Sequence, residues 1–423
     1  MAIYFITVAK LNKKYVKHSN RFKIVLKDLP VSLYFRTFAK IYVKLKSMNS
    51  RNYIITILTS VLLSQSFSAS AQKITLGSAT TKDGGQYQGE MMQGKPQGKG
   101  KTTYKNGNWY EGEYVKGKRQ GFGVYTFFDG EKYEGEWFQD QQHGKGVYYF
   151  SNNNRYDGLW FRDYQHGHGV MYYFNGDIYD GEWKMDKRSG KGTYTFSNGA
   201  YYKGEWKDDQ KNGNGFYDWG DGSSYDGQWA DNMRSGKGTF RYADGDQYIG
   251  QWANDVQNGR GIYKFQNGDV YEGDYVDGER TGTGISKYAN GDKYTGQFFE
   301  GDKQGQGTMV WSNGDQYVGM WKGDKMNGKG KLTTKNGDVF EGQFKNGKIE
   351  GEGIARYADG SKFKGTFKDG KRNGAAIEED KDGKRFEGTY KDDIRDGKFV
   401  EKDRNGKIIA SGIYERGHRQ LDK

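Results

Sequence analysis

Between residues 175 and 199 the chain reads NGDIYDGEWKMDKRSGKGTYTFSNG, and apolar and polar positions alternate along it. Tyr179, Gly181 and Trp183 take turns with Asp180 and Glu182, and Gly190, Gly192, Tyr194 and Phe196 with Lys191, Thr193 and Thr195. A period of two is the signature of a strand with one covered face. The two runs are predicted to be short antiparallel strands joined by a polar loop, Lys184–Ser189. Asn-Gly follows the second strand and signals a hairpin turn into the next unit.

This pattern repeats without a break in register. A Tyr or Phe stands at every 23rd residue from Tyr87 to Phe386, fourteen positions in all, each followed two residues later by glycine. A strict period of this length means one small unit stacked on copies of itself. The predicted architecture is all-β: an elongated, twisted, single-layer antiparallel sheet of stacked hairpins. Fourteen copies imply about twenty-eight strands and, at ~4.8 Å per strand, a sheet on the order of 130 Å long. Gly135, Gly158, Gly181, Gly204, Gly227 and Gly250 are expected to be structural, each bare backbone receiving an aromatic ring. On the other face, acids such as Glu136, Glu182 and Glu205 are expected to pair across strands with Lys145, Lys191 and Lys237.

Composition agrees with a folded array. The 423 residues include 66 Gly, 34 Tyr, 2 Pro and no Cys, which fits neither collagen nor proline-rich disorder. The net charge of +12 misleads. Residues 1–71 hold nine Lys, three Arg and one acid, whereas the remainder is almost balanced. The folded part therefore lacks the charge to bind nucleic acid.

The beginning of the chain reads as a targeting segment. Arg51 precedes the apolar run Tyr53–Leu63, and Ala69-Ser70-Ala71 forms a small-residue cleavage site before Gln72, the order found in a secretory signal. The expected organisation is a basic extension over 1–47, a signal peptide over 48–71, a lead-in over 72–86, the array over 87–407 and a degenerate cap over 408–423. A start at Met48 would leave 1–47 untranslated; the rival reading is a genuine basic segment for anionic lipid or nucleic acid. Without a cysteine after the signal, the expectation is a secreted, periplasmic or cell-surface protein that is not a lipoprotein.

Chemistry was sought in several places. No G-x-G-x-x-G or P-loop pattern occurs, and the glycines follow the 23-residue period instead. His143 and His166 occupy equivalent positions but lack a carboxylate at ligand spacing. Asp218, Asp221 and Asp226 read as a turn rather than a calcium loop. The expectation is no catalytic residue, no cofactor and no metal.

The repeated residues resemble MORN (membrane occupation and recognition nexus) repeats, whose pattern is Y-x-G-x-W, then G-x-G and N/D-G. The likeness is clearest in Tyr133-Glu134-Gly135-Glu136-Trp137 with Gly144-Lys145-Gly146, and it extends over about 82–407. It frays toward the end, where Ala376 and Phe399 replace the second glycine. The resemblance implies a scaffold that holds partner proteins, with phospholipid binding proposed for some members. Some relatives add a catalytic domain; only 33 residues follow Tyr390, so a kinase role is not carried over.

Two uses follow. The first is a non-enzymatic scaffold binding a protein partner, or itself as a homodimer, along an aromatic face made by Tyr133, Trp137, Tyr156, Trp160, Tyr179, Trp183, Tyr202, Trp206, Tyr225, Trp229, Tyr248 and Trp252. The alternative is a glycan- or envelope-binding protein stacking sugars on the same rings, or one binding anionic membrane lipid. Ring exposure discriminates: rings packed on glycine leave nothing for a sugar.

Overall fold

The computed structural model describes residues 73–422. The expected basic extension and signal peptide, and the alanine–serine cleavage site, lie outside the described residues. All thirty-two described elements are strands, and they form one sheet. Each strand pairs antiparallel with the next in the chain, as in Lys187–Thr195 against Tyr201–Lys207. Near the C-terminal end, Arg385–Lys391 pairs with two pieces, Ile394–Arg395 and Gly397–Lys402. The lead-in supplies strand Thr75–Thr80, and the cap supplies Ile408–Glu415 and His418–Leu421.

Each repeat consists of a seven-residue strand and a nine-residue strand, such as Ile178–Lys184 and Lys187–Thr195. Tyr179 pairs with Tyr194 and Gly181 with Gly192; a bulge follows, and Trp183 then faces Arg188. In the next pairing Gly192 meets Gly204 and Tyr194 meets Tyr202. The glycines therefore form a bare file across the sheet. Each tyrosine ring lies on this file: a Cβ added at Gly192 would sit 2.3 Å from the Tyr179 hydroxyl, and one at Gly181 would sit 2.5 Å from it. The hydroxyl donates to the Glu182 carbonyl at 3.0 Å, so the phenol is satisfied inside the sheet. Burial pushes such phenols up, to about 12 at Tyr225 and Tyr271.

The turns differ from expectation. The polar loop Lys184–Ser189 shrinks to a two-residue turn, Met185-Asp186, with φ of 50° and 65°. Positive φ at both central residues matches the twist of a tight hairpin. Asp fills the second place because it tolerates the left-handed region and because its side chain is used elsewhere. The Asn-Gly signal marks the other turn. Ser197, Asn198 and Gly199 form a three-residue loop, with Phe196 N–H donating to the Ala200 carbonyl and Gly199 N–H to the Phe196 carbonyl. Only Gly199 needs a positive φ, 91°, as in a type I turn ending in a glycine bulge.

The outer face is polar, but its expected Lys–Glu pairs are not the ones formed. Glu136 folds over Gly144 and accepts from the backbone N–H of Lys145 at 3.3 Å; Glu90 does the same for Lys99 at 2.8 Å. The bulge exposes that N–H, and a carboxylate satisfies it better than an exposed ammonium would use the charge. Other exposed pairs do form, among them Lys331–Glu341 at 3.4 Å.

The fraying at the C-terminal end follows from the same packing. Ala376 occupies a glycine place where the ring above is Phe363, which lacks the hydroxyl that comes nearest in the tyrosine repeats. Gly192→Ala should therefore lower stability by roughly 3 kcal/mol, through overpacking against Tyr179. Gly199→Ala meets no atom within 4 Å and should lose only about 1 kcal/mol, through its backbone angle. Urea unfolding of the two variants tests this; equal losses would count against the ring-on-glycine packing.

Candidate partner-binding groove

Three layers of side chains build up over the glycine file. The tyrosines lie deepest: Tyr133, Tyr156, Tyr179, Tyr202, Tyr225 and Tyr248 are 0–1% exposed. Each is wedged edge-to-face between two aromatic rings, as Tyr179 is between Trp183 at 5.2 Å and Trp206 at 5.4 Å, and Tyr248 between Trp252 and Tyr275. Such contacts add roughly 1 kcal/mol each beyond area burial. The indole N–H is used internally; Trp183 Nε1 donates to the Gly169 carbonyl at 3.1 Å.

These positions correct two expectations. The tyrosines of the predicted face are structural, since a partner has no access to a fully covered ring. The tryptophans Trp137, Trp160, Trp183, Trp206, Trp229 and Trp252 are only 4–7% exposed, so no indole face is free for a sugar to stack on. The glycan alternative loses its platform for that reason.

The sequence pattern picks out the outer layer only at Phe196, as the last apolar position of a strand, and not as a row of its own. An aromatic stands at every 23rd residue from Tyr104 to Trp311, in the turn between repeats, and this period was the available signal. These rings join the aromatic of the long strand in rows, as in Tyr125–Phe127 at 4.7 Å, Phe127–Tyr148 at 6.0 Å and Tyr148–Phe150 at 4.6 Å, interrupted where the long strand carries Met171 or Ser286. Acids fix the row. Tyr148 donates to Glu131 and Tyr194 to Asp177, which also accepts from Ser197 N–H at 2.9 Å. Those hydrogen bonds hold the Asp177 carboxyl below its usual range, against the opposing effect of burial, which is the largest single influence on it.

The opposite rim is a ladder of turn acids and long side chains. Each two-residue turn docks on the long strand of the repeat before it. Asp209 N–H donates to the Arg188 carbonyl at 3.1 Å, and its carboxylate accepts from Arg188 N–H at 3.0 Å. The Arg188 guanidinium then caps the Asp209 carbonyl at 3.0 Å and lies 4.4 Å from the Trp206 ring. Arg119 with Asp140 and Trp137, and Arg234 with Asp255 and Trp252, repeat the arrangement. Between the aromatic row and this rim runs a groove of about 760 Å³. Trp137, Trp160 and Trp183 form its floor, Tyr125, Tyr148 and Tyr173 one wall, and Arg119 and Arg188 its two ends.

Other candidates dissolve. His143 and His166 do not converge; the Phe161 ring lies between them, 5.4 Å from one and 5.6 Å from the other. Among the described residues no cluster of His, Cys, Asp or Glu is placed to hold a metal. Asp218 and Asp221 bind the backbone N–H groups of Gly220 and Ser223, which makes them turn residues. No described helix crosses a membrane, because none is long and apolar enough.

A single sheet of stacked hairpins defines a class: extended repeat proteins in which each unit is stabilised by its neighbours. The MORN repeat model matches thirteen consecutive copies, from 87–109 through 363–385. The chain belongs to the MORN-repeat family, whose repeats are non-catalytic interaction modules. The model stops short of the expected fourteenth copy, which begins at Phe386 and has Phe399 in place of a glycine. No curated protein matches the chain in sequence. Among solved structures, the TCP10 domain of Danio rerio CPAP in complex with a STIL peptide is 14% identical, with 64% of this chain and 100% of that chain covered and a TM-score of 0.23. A catalytically inactive virginiamycin B lyase from Staphylococcus aureus, with quinupristin, is 12% identical over 68% of this chain and 97% of that one, TM-score 0.13. Neither likeness is close enough to transfer a ligand or an activity.

At Lys211 the ladder has a cation without a turn acid. Lys211 lies 4.2 Å from the Trp229 ring, but its turn partner is Asn232 rather than Asp. Burial pushes this ammonium down to about 8, and the nearby Arg234 adds to the effect. A lysine depressed in the folded state is a burden below pH 8 that is relieved as pH rises through 8 toward 10.5. Asn232→Asp should therefore raise the Lys211 pKa and stabilise the protein at pH 7, with the gain shrinking above pH 8. Thermal unfolding from pH 6 to 10 checks the sign; a gain that grows with pH would contradict it.

Proposed function

We propose that this chain is a secreted, non-enzymatic scaffold that holds a partner polypeptide, or a second copy of itself, along the groove between the aromatic row and the ladder of turn acids. The observation that carries the reading is the groove itself: a lined channel of about 760 Å³ crossing several repeats, with a tryptophan floor and polar groups along one rim. A channel that crosses repeats suits a chain segment better than a compact small molecule, because it offers the same contacts at successive steps. Aromatic walls suit protein recognition, since large rigid rings give contact area with little entropy loss. The signal-like segment over 48–71 supports secretion to the periplasm, the cell surface or the medium. Repetition argues against catalysis, which needs unlike groups gathered at one place.

A photo-crosslinking residue placed at Tyr173, on the groove wall, should yield adducts in the cells that make the protein. The same residue at Lys191, exposed on the opposite face, should yield none. Light scattering then separates a second copy from a foreign chain. Equal yields at the two positions would remove the groove as the binding surface.

A further inference from the structure

The ladder is incomplete where the groove lies. At most rungs that carry a turn acid, a cation from the preceding repeat covers the next tryptophan and meets that acid. Arg119 serves Trp137 and Asp140, with its Nη2 2.8 Å from the Asp140 carbonyl. Arg188 serves Trp206 and Asp209. At the two rungs between them the long-strand residue is glutamine: Gln142 before Trp160 and Asp163, and Gln165 before Trp183 and Asp186. The acids keep their backbone role, Asp163 accepting from Gln142 N–H at 2.7 Å and Asp186 from Gln165 N–H at 2.8 Å. Neither carboxylate has an ion-pair partner among the described residues.

The glutamines do not substitute for the missing cations. A glutamine side chain stops where the arginine guanidinium would begin. Gln142 and Gln165 are 8% and 5% exposed, and their amides make no hydrogen bond with any described residue. The groove is thus bounded at its ends by the guanidiniums of Arg119 and Arg188, and open where two such groups are lacking. Resting on the scaffold reading above, we propose that the groove binds an extended basic segment of another polypeptide, whose two cationic side chains occupy the empty rungs at Asp163 and Asp186.

The spacing of the rungs selects the conformation of that segment. One repeat is two strands wide, ~9.6 Å. A polyproline II chain advances ~9.3 Å in three residues and returns the third to the same side. A β-strand covers a similar distance in three residues but turns the third to the opposite side. A helix needs seven residues and ~10.5 Å to return to one face, and drifts out of step with the rungs. The ligand is therefore a threefold, extended segment with Arg or Lys at positions i and i+3. Intervening prolines fit the aromatic wall of Tyr125, Tyr148 and Tyr173, as in other aromatic-lined grooves for this conformation. Each cation meets a carboxylate and a turn carbonyl, as the Arg188 guanidinium does at its own rung.

The test uses the full chain and synthetic twelve-residue peptides in calorimetry at low salt. A peptide repeating arginine-proline-proline should bind. The peptide with glutamine in place of arginine, and an isomer with its arginines adjacent, should bind at least tenfold more weakly. In Q142R/Q165R the protein's own guanidiniums fill the rungs, and affinity for the arginine peptide should drop at least tenfold. D163N/D186N should weaken it comparably while the turns hold, because Asn232 already accepts the equivalent N–H of Lys211 at 2.8 Å. Unchanged circular dichroism confirms that the variants are folded. Equal binding of the arginine and glutamine peptides, or full binding by Q142R/Q165R, would overturn the proposal. Crosslinks at Tyr173 that persist in that event would leave the scaffold reading standing, and their loss as well would end both.

Discussion

Everything in this sheet depends on a phenol ring lying flat on paired glycines. A single layer has no second sheet to cover its aromatic side, so it must bury large rings against its own backbone. Glycine at both ends of a cross-strand pair removes the two Cβ atoms that would hold the ring away. The ring of Tyr179 can then settle over Gly181 and Gly192, with its hydroxyl returned to the Glu182 carbonyl. Once the tyrosine lies flat, the tryptophans of its own and the next repeat close over its edges. The core is therefore one ring thick and as long as the array. Stability is shared between neighbours rather than concentrated at a centre.

The rims are stitched by carboxylates. On one side a turn acid such as Asp209 reaches back to the long strand of the preceding repeat. On the other, acids such as Asp177 and Asp246 reach forward to the next loop and pin the outer tyrosines. Such bonds to backbone N–H groups survive changes in the cation, which explains how Arg, Lys and Gln can alternate along the ladder without disturbing its geometry. The structural duty rests on the acid, and the cation position is free to vary. Variation at that position is what turns a uniform surface into one with a particular groove.

Much of the architecture was legible in the chain. The unbroken 23-residue period required stacked units, the alternation in residues 179–183 and 190–196 required strands, and glycine two places after each aromatic pointed to ring-on-backbone packing. The candidate site was less legible. The tyrosines looked like half of a binding face, yet a residue that packs on glycine from above is itself roofed by tryptophan from two repeats. The Lys184–Ser189 stretch looked like a loop because Met185-Asp186 carries no Asn-Gly signal. The aspartate earns its left-handed place through a bond to the Gln165 N–H, 21 residues earlier, which a local reading of the turn does not reveal.

Sequence alone determined the repeat length, the strand pairs, the glycine file and the absence of a bulk charge for nucleic acid in the array, because each is set by local periodicity or composition. Tertiary structure alone decided which rings are hidden, which turn closes each hairpin and which acids lack a cation. Those properties belong to the contact between one repeat and the next. Side chains there meet across about twenty residues of chain, and the pairing of one repeat's long strand with the next repeat's short strand brings Gln142, Trp160 and Asp163 to one rung.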